Sequence, residues 1–256
     1  GQGYSDLHFL IPETVDNIEF GKGPYYADHG DFTTAGYVDF KTKKRIDNSS
    51  VSVEYGDFNS FRTVGLFNVL DTKNSNAYVA ASLYTFDGPY DSPQNFNRFN
   101  LMGKYNFKLA GNQEVSLTAS HFQSKWDASG QIPQRAVDSG LIDRFGAIDD
   151  TEGGNTSRTN LLVNHTKILS ENSQLKTTAF YSHYDFELFS NFTFFLVDPI
   201  NGDQIAQRED RNILGFQTAY SEKMEFSDFD FEYTAGVGVR YDDVNDVELS
   251  RTANRS

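Results

Sequence analysis

Side chains suited to catalysis or metal binding are few in this sequence and far apart. The five histidines are His8, His29, His121, His165 and His183. None of them forms a His-x-x-x-His pair or another spacing that brings two imidazoles onto one metal ion. Cysteine is absent, which removes thiolate metal sites and a disulfide framework. His183 and Asp185 stand two residues apart, so in a strand they share a face and could hold a metal or form a solvated pair in a lumen. The run from Ile148 to Gly154 (Asp149, Asp150, Thr151, Glu152, Gly153) offers oxygen ligands for calcium, but without the spacing of an EF-hand loop; a solvated loop tip is the other reading. No catalytic constellation emerges. The expectation is a protein that is not an enzyme, with no catalytic residue, no cofactor and no resident metal.

The elements that carry these residues are indicated by composition. The net charge of -14 argues against nucleic acid as a partner, which calls for a basic face. Hydrophobic content is 38% and mean hydropathy -0.54, yet aromatics make up 15%, with 23 Phe and 14 Tyr. A chain polar on average and rich in aromatics fits alternating strands whose apolar half faces lipid, and does not fit disorder. The longest apolar run, 192–197, falls far short of the ~20 residues of a spanning helix, so a membrane would be crossed by strands. Residues 1–6 show neither the basic start nor the apolar stretch of a leader, and the chain is expected to begin in mid-protein.

Period-two alternation is clearest between Phe229 and Asp242. One side carries Phe231, Tyr233, Ala235, Val237, Val239 and Tyr241, the other Glu232, Thr234, Gly236, Gly238 and Arg240. Phe99, Leu101, Tyr105 and Phe107 oppose Asn100, Lys104 and Asn106 in the same way. Val51, Val53 and Tyr55 form a third such set, Leu214, Phe216 and Tyr220 a fourth, and Phe180, Tyr184, Phe186 and Leu188 a fifth. Residues 60–71, 77–87 and 157–168 have strand character without a clear face. Nine strands are expected, at about 49–58, 60–71, 77–87, 97–109, 114–125, 157–168, 174–188, 211–224 and 229–243. Most reach or exceed the ~9–11 residues needed to cross a bilayer on a tilt.

The connections are informative as well. After a tight link at 57–59, short links (71–76, 110–113, 170–173, 225–228) alternate with long ones (88–96, 126–156, 189–210), the asymmetry of outer-membrane barrels. The longest carries six acidic residues against Arg135 and Arg144, which either disfavours anionic ligands or keeps a surface loop soluble. Aromatics gather where strands meet the long loops: Tyr84, Phe86, Phe122, Trp126, Tyr184, Phe186 and Tyr241. Amphipathic rings favour the headgroup level, which is where they are expected.

Residues 1–46 differ in pattern. Val15-Asp16-Asn17-Ile18-Glu19-Phe20, followed by Lys22-Gly23-Pro24, resembles the plug-domain ending of TonB-dependent outer-membrane receptors. In that family an I-E-x-x-x-G-P strand leads through a small-residue Tyr-Gly segment to A-G-G-x-I-N and into the barrel. Here the later parts stand as Ala27-Asp28-His29-Gly30 and Ala35-Gly36-Tyr37-Val38-Asp39-Phe40, so Tyr37 replaces a glycine and Asp39 a neutral polar residue. The resemblance singles out Ile18, Glu19, Lys22, Gly23, Pro24, Gly30 and Gly36 as structural plug residues.

It also implies the fold: all-β, a transmembrane antiparallel up-and-down β-barrel fragment of about nine strands preceded by the end of a plug domain, with 1–46 as plug and 47–256 as an incomplete barrel. Nine strands do not close a bacterial barrel of even strand number, so the upstream plug and about thirteen strands are expected to be missing. The implied function is ligand-gated uptake across the bacterial outer membrane of a scarce solute, such as an iron–siderophore or other metal chelate. The implied partners are outer-membrane lipid, the small-molecule ligand and, through the missing N-terminal region, the TonB energy-coupling complex. In this family the segment ahead of the I-E strand lies near the external face, which makes Gln2, Tyr4, Asp6 and His8 candidate ligand contacts, packing against the wall being the other possibility. A passive porin or adhesin barrel, or a soluble β-sandwich carbohydrate-binding module, are the alternative readings.

Overall fold

The computed structural model describes residues 7–30, 33–226 and 229–256. Two sheets account for its strands. A hairpin of β1 (Val15–Lys22) and β2 (Gly36–Thr42) forms the first. The second holds β3 (Ser50–Gly56), β4 (Ser60–Asp71), β5 (Ser75–Phe86), β6 (Phe96–Leu109), β7 (Gln113–Ala128), β8 (Glu152–Ile168), β9 (Ser173–Ser190), β10 (Ile205–Glu225) and β11 (Asp230–Arg251). All nine pair antiparallel with their chain neighbours, and β3 and β11 are the two unclosed edges. One short helix, α1 (Gln134–Asp138), lies between β7 and β8. No helix among the described residues is long and apolar enough to cross a membrane.

Residues paired across antiparallel strands share a face, so the register assigns every side chain. One face receives the N-terminal segment and is called inner here; Val64, Leu66, Tyr78, Ala80 and Met102 lie on it and pack around Ile11, which is only 2% exposed. On the other face, across β6 to β11, the rows read Gly103, Ala119, Leu161, Tyr181, Leu214, Tyr241 and, one step lower, Tyr105, Leu117, Val163, Ala179, Phe216, Val239. These apolar residues are left uncovered, with Leu161 49% and Val239 65% exposed. No second sheet packs on them among the described residues, which overturns the β-sandwich alternative. From Phe231 to Tyr241 the band runs ten residue steps, or about 25 Å once tilted, the height of the lipid zone of an outer-membrane barrel.

All nine expected strands occur, but those beyond β6 extend further at the long-loop end. β8 starts at Glu152, β10 at Ile205, and β11 continues to Arg251. The long connections shrink accordingly, to 129–151 with α1 inside it and to 191–204. The reason is that backbone pairing continues above the apolar band, where both faces are wet and hydropathy no longer alternates. Register slips between Asp210 and Arg211, where β11 carries an extra residue, and between Asn68 and Leu70 in β4.

The face expected for β9 is reversed. Phe180, Tyr184 and Phe186 pair with Leu162, Arg158 and Thr156 and so lie inward, while Leu175, Thr177, Ala179 and Tyr181 lie outward. The inward set has the larger apolar bulk, but outer positions need only be uncharged, and small Ala and Thr suffice.

The N-terminal segment is held chiefly through its backbone. Asn100 Nδ2 donates to the His8 carbonyl (2.7 Å), the Tyr78 hydroxyl to Lys43 O (3.0 Å), Lys104 Nζ to Thr42 O (3.1 Å) and Asn68 Nδ2 to Ile46 O (2.8 Å). The two sides of the hairpin neck are joined by Lys43 N donating to Thr14 O (2.8 Å). Lysine in place of outward Val237 is expected to cost about 2–4 kcal/mol of folding stability in lipid, whereas lysine in place of inward Gln217 costs well under half of that. Denaturant titration of the two variants in vesicles checks this; equal losses would mean that the faces are wrongly assigned.

Candidate functional site

The inner face changes character toward the long loops. Three rows of paired residues cross it there: Ser82, Asn100, Phe122, Arg158 and Tyr184; then Tyr84, Arg98, Ser124, Thr156 and Phe186; then Phe86 opposite Phe96, with Trp126, Gly154 and Leu188. Tyr84, Phe86, Phe122, Trp126, Tyr184 and Phe186 therefore point inward and do not form the expected headgroup girdle; Tyr241 alone of that set lies on the outer face. Each aromatic is an even step from a polar inner residue such as Ser124 or Arg158, and the period of two fixes its side.

These rings are arranged with cations. The Arg98 guanidinium lies 5.4 Å from the Tyr84 ring centre, and Tyr84 meets Phe96 edge-on (5.6 Å) and stacks with Phe86 (6.3 Å). Arg158 stands 4.7 Å over the ring of Phe9, and its Nε donates to Asn160 Oδ1 (3.2 Å) and Ser182 Oγ (3.3 Å). His8 is exposed, with its ring edge-on to Phe96 at 6.2 Å. Gln2, Tyr4 and Asp6 lie outside the described residues. Below this ring a cavity of about 950 Å³ separates Phe9, Leu10 and Thr42 from the wall, which there presents Lys104, Ser120, Arg158, Asn160, Lys176 and Arg240. Guanidinium groups beside aromatic faces, opening onto a polar, basic wall, suit a planar or anionic solute.

Arg98 and Arg158 escaped the sequence reading. Arg158 falls in the stretch without a clear face. The available signal was the cost of arginine on a lipid-facing position, which places it inward. His183, expected in the lumen, is instead on the outer face above the apolar band. Its Nδ1 lies 3.2 Å from Asn212 Oδ1 and its Nε2 4.0 Å from Asp210. No group of three or more His, Asp or Glu that could hold a metal occurs among the described residues.

The long loops form one hydrogen-bonded unit. Asp149 accepts from Thr151 N and Oγ1, from Asn191 Nδ2 (2.8 Å) and from Gln204 Nε2 (3.1 Å), so it staples loop to loop instead of standing at a solvated tip. Arg255 donates to Asp127 (2.7 Å) and to the carbonyls of Thr151 and Glu152, and its own N–H is taken by Gln204. Asp203 accepts from the N–H groups of Leu196, Val197 and Asp198, fixing the tip of 191–204. Burial alone would raise the Asp149 carboxyl, but these donors hold it below the usual carboxylate range. At the outer tip of β8, beyond the apolar band, burial pushes Glu152 up to about 7.

No family model matches the sequence, and no curated protein matches it. Solved structures do. The siderophore receptor PiuA from Acinetobacter baumannii superposes with a TM-score of 0.73 at 16% identity, over 90 and more per cent of this chain (94%) and 38% of PiuA. The ferric-catecholate import receptor Fiu from E. coli K12, in its open form, gives 0.71 at 14% identity, over 90% of this chain and 39% of Fiu. The pyoverdine outer membrane receptor FpvA from Pseudomonas aeruginosa PAO1 gives 0.71 at 12% identity, over 90% and 35%. The fold is that of the TonB-dependent receptors of the Gram-negative outer membrane. This chain spans under two fifths of the length of those receptors.

Within the TonB-dependent receptor fold, the residues singled out by resemblance lie on or beside the β1–β2 hairpin. Glu19 forms an ion pair with Lys41, diagonally across on β2. Gly23, at φ 84°, bonds Ala35 O through its N–H, and a side chain on Gly36 (φ 145°) would strike the Gly21 carbonyl. Gly30, also at positive φ, has open space around it, while Ile18 and Lys22 are exposed on β1 and Pro24 follows the strand. Tyr37, which departs from the receptor pattern, stacks on His29 (3.7 Å) and meets Tyr26 edge-on (4.9 Å), so the bulk that replaced a glycine closes an aromatic cluster.

The two loop carboxyls have opposite signs of linkage. Asp149, depressed, stabilises the loops above its unfolded value, and that contribution is lost as pH falls through its lowered folded value. Glu152, raised, contributes below the usual carboxylate range, and its contribution is lost as pH rises through about 7. Proteolytic nicking of loop 129–151 should accordingly increase between about pH 6 and about pH 8, and Glu152→Gln should flatten that rise. An unchanged rise in the variant would show that another group controls the loop.

Proposed function

We propose that this chain belongs to an energy-coupled uptake receptor that is not an enzyme, with residues 1–46 forming the end of a plug and 47–256 the first part of the barrel around it. The observation that carries this reading is the N-terminal segment lying on the inner face of a lipid-type sheet, tied there mostly by hydrogen bonds to its backbone. Such a contact closes a pore and remains separable, because each bond can be replaced by water. A passive porin has no use for a closing segment of this kind.

The solute is proposed to be a metal chelate, with an iron–siderophore as the leading class. PiuA, Fiu and FpvA are described as receptors for siderophores or ferric chelates, and Arg98 and Arg158 beside Tyr84, Phe96 and Phe9 offer charge and stacking to an anionic, aromatic-bearing complex. Gln2, Tyr4, Asp6 and His8 complete the proposed contact from the plug side. The energy-coupling partner in this reading is TonB.

The test uses the full-length receptor in iron-starved cells supplied with radiolabelled ferric catecholate, citrate and hydroxamate chelates. One of these is expected to bind and to accumulate, and collapse of the inner-membrane proton gradient should abolish accumulation while leaving binding intact. Replacing both Arg98 and Arg158 by alanine should weaken binding by at least about tenfold. Accumulation that persists without the gradient would defeat the proposal.

A further inference from the structure

Most wall contacts to the N-terminal segment end on backbone carbonyls; besides the exposed pairs Lys44–Glu114 and Arg45–Asp71 near the barrel entry, one ion pair holds the docked turn itself. Arg62, on the inner face of β4, places Nη2 2.8 Å from Glu13 Oε1 and 2.9 Å from Glu13 Oε2. Its Nη1 lies 3.1 Å from Glu54 Oε1, on the neighbouring wall strand β3 and directly opposite in register. The guanidinium is largely buried, with its side chain 17% exposed, while Glu54 is 61% exposed. Glu13 belongs to the docked turn whose Ile11 fills the apolar socket and whose Thr14 is fully buried.

Arg62 therefore has one partner that can leave and one that cannot. A buried cation stripped of its only carboxylate is strongly disfavoured; a guanidinium that keeps Glu54 is not stripped, since its planar fork serves two carboxylates at once. We infer that Arg62 is a shared latch: Glu13 holds the 11–14 turn on the wall, and Glu54 retains the guanidinium when that turn lifts off. Glu54 thus acts as a positioning residue that accelerates release. This inference rests on the uptake reading, in which the segment moves.

Residues 1–256 contain no cysteine, so Thr14→Cys, made in the full-length receptor, places a single thiol in this stretch, buried at the docked turn. Its alkylation by a maleimide reports lifting of the turn, in resting cells and during energised uptake of the chelate that binds. Glu13→Gln should raise resting labelling about tenfold. Glu54→Gln should leave resting labelling unchanged and slow energised labelling about tenfold, while Glu54→Asp, which keeps the charge, restores it. Energised labelling of normal rate in Glu54→Gln, or resting labelling unmoved in Glu13→Gln, would overturn the latch. If energisation exposes the thiol in no background, with labelling still raised in resting Glu13→Gln, then the uptake reading has failed and release with it, although the docking contact stands.

Discussion

The governing constraint is the hydrogen bonding of the peptide backbone in hydrocarbon. A strand crossing lipid has no water for its N–H and C=O groups, so every one must be met by a neighbouring strand. Nine strands meet this demand along their shared ladders, each paired with the strands adjacent in sequence. The outward groups of β3 and β11 are the two rows left over, and in a bilayer they require further strands. The apolar outer band follows from the same constraint, since a sheet paired in this way must offer lipid a surface without charge.

The inner face answers to a different solvent. It holds serine, threonine, asparagine and arginine, with a small apolar socket where Ile11 docks. The buried apolar cluster thus lies between wall and N-terminal segment. Fold and candidate site are coupled there: the bonds that seat residues 8–14 also bring Phe9 under Arg158 and His8 beside Phe96. At the loop end, Asp149, Gln204 and Arg255 join three chain segments, so that the approach to those rings is a built surface and not a set of independent tethers.

Much of this was legible in the residues. Phe231 to Tyr241 announced both a strand and its face, because apolar and polar positions alternate there without exception. The Ile18-Glu19 strand with Lys22-Gly23-Pro24 announced a hairpin of another kind. Legibility failed where one physical rule was asked to serve two environments. Alternation tells which residues share a side but not which side meets lipid, and β9 was assigned backwards because Phe180 and Tyr184 outweigh Ala179 and Thr177 in apolar bulk. Above the band the pattern fades while pairing persists, which hid the outer ends of β8, β10 and β11. Arg98 and Arg158 were obscured by distance: their ring partners Tyr84 and Phe9 are near only after folding.

The slip between Asp210 and Arg211 has a consequence for how such a wall can vary. The surplus residue on β11 is absorbed above the lipid zone, and below it the pairing from Asn212 to Glu225 runs unbroken in phase. The other slip, in β4, sits at the opposite end, near the short turns. Insertions of one residue are thereby confined to the margins, where a kink costs little. The exterior rim can change in length and aim over evolutionary time while the stretch immersed in the bilayer keeps its phase.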